Sequence, residues 1–401
     1  MNEAEKRNKR AAGVITTAAL ASIFVYSFVV SLPAVLINEV VAAFSLDGAG
    51  EGLMGTLTSL GFGLSLFFTI LFQGRAQKST ILMFAFAAQA LMLFFSGFSP
   101  AFYLFCIGCL FVGFSGGFID TSSNSVIVDV QKQESSKYLG YLHGLFGIGS
   151  LLSPVVVVWA LRNISWRGVH YALAIASCLV ILLIFLLTRG KNKKHKTPAV
   201  REHLFTKHDL LNYYKVKRNI VLSFAGFFGM FTIAATMLWI VRYITLTYNA
   251  PELGAVSITV YWICATVNRF IYSKIIKRAP MKFFAFGALI SGTSILIGVF
   301  VGNPIVLCVM MGIFGLCSGH FIPVLVKECA VGYEGRTTFT TAMIMFVMCI
   351  ARIVSPVMMA YAGTRISLTF GMMIPVATAI GATACALIAS KKKGDINNKV
   401  I

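Results

Sequence analysis

The chain has 401 residues, 58% of them hydrophobic and 12% charged, with a mean hydropathy of +0.83. Soluble domains run at about 45–50% apolar and about 25% charged residues, so a chain this apolar cannot hide its side chains in one water-soluble core. A soluble enzyme, a nucleic-acid module and a disordered tail are excluded, and the net charge of +20 has to be read from its placement along the chain.

A spanning helix needs about 20 apolar residues, because the hydrocarbon layer is about 30 Å thick and each helical residue rises about 1.5 Å. Residues 1–10 are charged and polar. The apolar stretch that follows is too long for a signal-peptide core and reads as a first span over 12–44. Further spans are predicted at 52–73, 79–99, 101–130, 137–161 and 166–188, and then at 218–247, 253–276, 281–301, 303–329, 337–362 and 367–390. Lengths of this kind predict helices, since barrel strands alternate over about ten residues. The expected fold is an all-α membrane protein of twelve transmembrane helices in two six-helix bundles, 1–190 and 218–401, joined by a basic linker at 191–217.

An even number of spans puts both termini on one side, and basic residues mark the cytoplasmic side. Most of the 34 Lys and Arg fall in the N-terminus, in the loops at 74–79, 131–137, 274–282 and 327–336, in the linker and in the C-terminal tail. The opposite loops hold Arg162, Arg167 and Arg365, while Arg242, Arg269 and Arg352 lie inside spans. Both termini are therefore expected in the cytoplasm, the protein in the cell membrane, and the basic excess is a topology signal and not a nucleic-acid footprint. The linker, with Lys191, Lys193, Lys194, His195, Lys196, Arg201, Lys207 and Lys215, reads as a solvated connection, with contact to anionic lipid as the alternative. The nine cysteines lie in apolar stretches without metal-like spacing and read as free thiols. No metal or cofactor is expected.

Six spans, a cytoplasmic linker and six spans is the layout of many secondary transporters, and the architecture resembles the major facilitator superfamily. Local sequence is similar to its fucose-permease-type, sugar-transporting members. The matching segments are Gly113-Phe114-Ser115-Gly116-Gly117-Phe118-Ile119-Asp120 followed by Asn124, the run His143-Gly144-Leu145-Phe146-Gly147-Ile148-Gly149-Ser150-Leu151-Leu152-Ser153-Pro154, Asn268-Arg269-Phe270, and Ile353-Val354-Ser355-Pro356-Val357-Met358. The loop signature between the second and third spans is present only as Gln73-Gly74-Arg75-Ala76-Gln77-Lys78, without its acid, and the position of the family's proton-linked acid on the first span is matched by Ala34. The resemblance implies sugar–proton symport about a midplane site.

Asp120 is the leading site candidate. A carboxylate inside a span costs on the order of 3 kcal/mol on insertion scales, so it is expected to face a wet cavity. Gly116, Gly117, Ser123 and Asn124 lie near it at helical spacing, and burial fits a carboxyl group to exchange a proton. His143 could share that proton. Arg269 and Arg352, read as two buried cations, form an alternative constellation that would clamp an organic anion; a cation on each of these spans also resembles the oxalate:formate antiporters. Trp239 and Tyr243 share a helix face and could stack on a sugar, and His320 is a further candidate for the substrate. Glu39 and Arg242 are possible gate contacts, and Lys327 and Glu328, at the cytoplasmic end of their span, read as snorkelling side chains or a cytoplasmic ion pair. Gly144, Gly147, Gly312, Gly315 and Gly319 are expected to allow close helix packing. The expected activity is non-enzymatic: secondary transport of a small polar solute with protons, by a monomer, with a small molecule, protons and lipid as partners. The rival of another class is an intramembrane serine hydrolase, on the strength of Gly113-Phe114-Ser115-Gly116.

Overall fold

The structure, a computed structural model, describes residues 3–46, 53–72, 75–189, 206–275 and 279–391. Gln73 and Gly74 of the loop motif, linker residues 191–205, and the tail beyond 391 lie outside the described residues, and so does the side chain of Ala34. The helices in chain order are α1 (Glu3–Val35), α2 (Ile37–Phe44), α3 (Leu53–Phe72), α4 (Lys78–Phe98), α5 (Phe102–Gln131), α6 (Ser135–Leu161) and α7 (Trp166–Arg189). They continue with α8 (Lys207–Lys215), α9 (Lys217–Tyr248), α10 (Pro251–Ile275), α11 (Pro280–Val301), α12 (Pro304–Ser318), α13 (Phe321–Ala330), α14 (Thr337–Arg365) and α15 (Leu368–Lys391).

Helix is the form in which an apolar segment can satisfy its backbone in lipid. Eleven continuous stretches among the described residues are long and apolar enough to cross a membrane. One of them, 60 residues over Phe102–Leu161, is two helices, α5 and α6, joined by a 3-10 turn at Lys132–Glu134. That gives the twelve spans expected.

Proline and asparagine set several boundaries. Asn303 caps α12, its side chain accepting from the backbone of Ile305 at 2.8 Å, with Pro304 in the first turn where no N–H is missed. The preceding Gly302 takes φ +71°, a left-handed geometry that ends α11 without steric cost. Two predicted spans are interrupted. The first breaks at Leu36, three residues after Pro33, separating α1 from α2. The tenth breaks at Gly319 and His320, between α12 and α13; the helical partner of the Gly319 carbonyl would be the nitrogen of Pro323, which carries no hydrogen.

The chain divides into two compact units. The first consists of residues 1–138, 145–205 and 335–342, and the second of 139–144, 206–334 and 343–401. In each unit the second and fourth spans of that half of the chain pack closely against one another. In the first unit a Cβ on Gly113 would lie 1.9 Å from the Thr58 carbonyl, and one on Gly61 1.9 Å from the Leu110 carbonyl, so α3 and α5 touch backbone to backbone. In the second, α10 meets α12 and its break in the same way: a Cβ on Gly315 would lie 2.4 Å from the Tyr261 carbonyl and one on Gly319 2.5 Å from that of Ala265. Small residues permit this approach, and dispersion over the closed surfaces holds it. Gly315 and Gly319 thus have the packing role expected, as does Gly312, against Val260 and Cys264.

Candidate functional site

Asp120 lies in the body of α5, half-buried. Its Oδ1 accepts from Asn124 Nδ2 at 2.8 Å, and the same amide donates to the Asp120 backbone carbonyl at 2.9 Å. Asn124 is fully buried, one helical turn on, so the pair is built by i, i+4 spacing alone. Next to it Thr121, Ser122, Ser123 and Ser125 are also buried. The Oγ atoms of Thr121 and Ser123 have no hydrogen-bond partner among the described residues. One turn before the acid, Gly116 packs against the Tyr26 phenol, where a Cβ would lie 2.5 Å from the hydroxyl oxygen. Asp120 therefore has a small-residue side toward α1 and α3 and a polar run of five residues toward the C-terminus of α5. That run was visible in the sequence but drew attention only at Ser123 and Asn124; Tyr26 carried no signal, because only packing brings it to Gly116.

The serine of the hydrolase motif does not have a nucleophile's surroundings. Ser115 is buried and donates to the carbonyl of Val112 in its own helix at 2.9 Å. Its flanking glycines serve the crossing with neighbouring helices.

A second polar cluster of the first unit lies at the C-terminal end of α5. The Lys78 ammonium is paired with Asp129 and donates to Thr337 Oγ1 at 2.6 Å, and Thr337 in turn donates to Asp129 Oδ1 at 2.6 Å. Thr338 donates to Ser125 Oγ at 3.4 Å. These contacts explain why 335–342 belongs to the first unit. The sequence places Lys78 in a basic loop and at the end of the incomplete loop signature; its partner is fixed only by the fold.

In the second unit, Arg269 is 6% exposed and its guanidinium bonds to backbone. Nε donates to the Gly319 carbonyl at 3.1 Å and Nη1 to the His143 carbonyl at 3.1 Å, with the Trp262 ring centroid 5.6 Å from the charge. Arg269 thus supplies the donor that Pro323 cannot give to Gly319, and it braces the break in the tenth span. Beside it, His320 is 1% exposed; its Nδ1 is 3.2 Å from Asn268 Oδ1, its ring stacks on Tyr272, and its Nε2 has no partner among the described residues. His143 is buried. The structure therefore brings together Arg269, His320 and the His143 backbone around one break.

Arg352 departs from expectation. It is exposed, so the reading of two buried cations holds for Arg269 alone. Sequence hydropathy places a residue within a span but does not say which face of the helix it occupies. Trp239 and Tyr243 are buried in an apolar cluster with Ile240, Tyr261 and Phe314, and Trp239 lies against the position of Gly363. Arg242 is exposed, with its charge 5.4 Å from the Trp239 ring. Glu39 is half-buried, and its Oε2 is enclosed without a partner among the described residues. Glu328 forms a buried ion pair with Arg218, a partner that the reading of snorkelling or a cytoplasmic ion pair did not name.

A family model described as Major Facilitator Superfamily matches residues 17–356. A curated relative, "Probable sugar efflux transporter" of Helicobacter pylori, is 19% identical over 274 residues, covering 67% of each chain. Among solved structures, the E. coli fucose:proton symporter FucP superposes with a TM-score of 0.73 at 16% identity, over 93% of this chain and 98% of that one. The human organic anion transporter MFSD10 (TETRAN) superposes with a TM-score of 0.75 at 13% identity, over 94% and 99%. At these identities the structural likeness establishes the fold.

Proposed function

The chain belongs to the Major Facilitator Superfamily, and we propose that it is a secondary active transporter that carries a small, sugar-like polar solute across the cell membrane together with protons, by alternating access. The observation that carries this reading is Asp120, a carboxyl group inside a span, held by Asn124 at 2.8 Å and followed by buried hydroxyl side chains. Ionised, Asp120 accepts from Asn124 and from solute hydroxyls; protonated, it becomes a donor. That change of role is what couples a proton to a hydroxyl-rich solute. His143, Asn124, His320, Trp239 and Tyr243 are proposed as further residues that serve the solute or the proton.

The sugar class is supported by the fucose-permease-like segment around Asp120 and by the names of the Helicobacter relative and of FucP. A neutral solute is favoured over an organic anion because Arg269 spends Nε and Nη1 on backbone carbonyls. Both termini are assigned to the cytoplasm by the Lys and Arg distribution, and the monomer is the transporting form. Hydrolysis is disfavoured by the Ser115 hydroxyl bonding within its own helix.

The test is uptake into proteoliposomes after a binding screen of purified protein with L-fucose, D-xylose and oxalate, in which a ligand raises the melting temperature. Asp120→Asn is expected to abolish accumulation driven by a pH gradient while leaving solute counterflow. Uphill, gradient-driven uptake by this variant would overturn the assignment.

A further inference from the structure

We propose that helix α8 is an interfacial helix that binds anionic phospholipid headgroups beside the start of α9. The linker helix is anchored on one face. Thr206 donates its backbone N–H to Asp209 Oδ2 at 2.7 Å, capping the helix start. Tyr213 is fully buried, 5.3 Å from the Tyr333 ring. Asn219 Nδ2 donates to the Tyr213 carbonyl at 2.9 Å and to the Tyr333 hydroxyl at 2.6 Å. Val216, also buried, is the single residue between α8 and the membrane-spanning α9. The helix is therefore fixed at the end of a span, where water meets lipid.

Its other face is apolar and basic. Leu210 is 39% and Leu211 62% exposed, with Tyr214 half-buried beside them. Lys207, one turn before Leu211, is exposed, and so are Lys215, one turn after it, and Lys217. The one acid between 207 and 217, Asp209, is buried in the cap. Leucines left bare in a short helix, rimmed by cations and without an anion, match a surface of acyl chains under negative headgroups. The side chains reach in opposite senses: leucines down to the acyl boundary, lysine stems snorkelling to phosphate. This inference does not rest on the transport reading and would survive its failure.

The experiment uses the full chain in nanodiscs of phosphatidylcholine alone and of phosphatidylcholine with phosphatidylglycerol, read by hydrogen exchange of the 206–217 backbone and by lipid retention in native mass spectrometry. Phosphatidylglycerol should be retained over phosphatidylcholine and should slow exchange in α8. Each of Lys207→Gln, Lys215→Gln and Lys217→Gln should lower retention about fivefold, the equivalent of about 1 kcal/mol per basic residue near the surface, and 0.5 M salt should mimic them. Leu211→Gln should lower retention at unchanged thermal stability, which separates lost contact from lost fold. Equal exchange and retention in the two lipids would overturn the proposal. Protection that ignores lipid composition and disappears on deleting 191–204 would assign the face to the linker itself and overturn it equally.

Discussion

The Arg218–Glu328 pair offers a quantitative test of how the second unit is held together. Arg218 lies in the first turn of α9 and Glu328 near the end of α13; their side chains are 1% and 3% exposed. Arg218 Nη1 also donates to the Glu328 backbone carbonyl at 3.1 Å. Replacing Glu328 by Gln leaves a buried guanidinium with amide and carbonyl acceptors but no counter-charge. Breaking a buried pair from one side costs about 3–5 kcal/mol, whereas replacing both partners with apolar side chains of similar size is often neutral or stabilising. The carbonyl contact survives in Glu328→Gln, so a loss near the lower end, about 3 kcal/mol, is expected. The double variant Arg218→Met with Glu328→Leu should recover most of it. Equilibrium unfolding in mixed detergent–dodecyl sulfate micelles measures both. If the single and double variants lose the same stability, the cost does not come from an uncompensated buried charge, and the argument fails.

Two further outcomes follow from local geometry. Gly113→Ala should destabilise by about 1–3 kcal/mol, the usual cost of overpacking, because the new Cβ would lie 1.9 Å from the Thr58 carbonyl, which is backbone and cannot turn aside. Gly55→Ala in the neighbouring helix, with nothing within 4 Å, should be close to neutral in the same unfolding assay. Burial, and secondarily the nearby Cys329, hold the Tyr213 phenol well above its ordinary range. The unfolded chain releases that proton near pH 10 while the native state retains it, so the stability it contributes is fully present below pH 10 and is lost as the pH rises beyond. The difference in melting temperature between the native chain and Tyr213→Phe, followed from pH 8 to 11, should narrow above pH 10; a difference independent of pH would contradict this.

The spans were legible because their signal is local: twenty apolar residues in a row have one stable form in lipid, whatever they touch. The predicted 303–329 span illustrates where that stops. Hydropathy covers it without interruption, yet it breaks at Gly319 and His320, since Pro323 cannot supply the N–H that Gly319 needs. The proline was in plain view; the arginine that compensates it, Arg269, lies 50 residues before Gly319. Likewise Asp120 and Asn124 were readable as a pair, because four residues is one helical turn, while Tyr26 beside them was not.

By itself the sequence determined the membrane class, the twelve spans, the basic asymmetry and the carboxyl group of α5, all of which depend on composition and on neighbours within a turn. Only the tertiary structure decided which charges are matched: Lys78 with Asp129 and Thr337, Arg218 with Glu328, Arg269 with two carbonyls, and Arg352 left exposed. The reason is physical. Hydrophobicity sums along a chain, but an ion in a low-dielectric interior is stable only against a partner within a few ångströms, and chain folding chooses that partner from residues as much as 259 positions away.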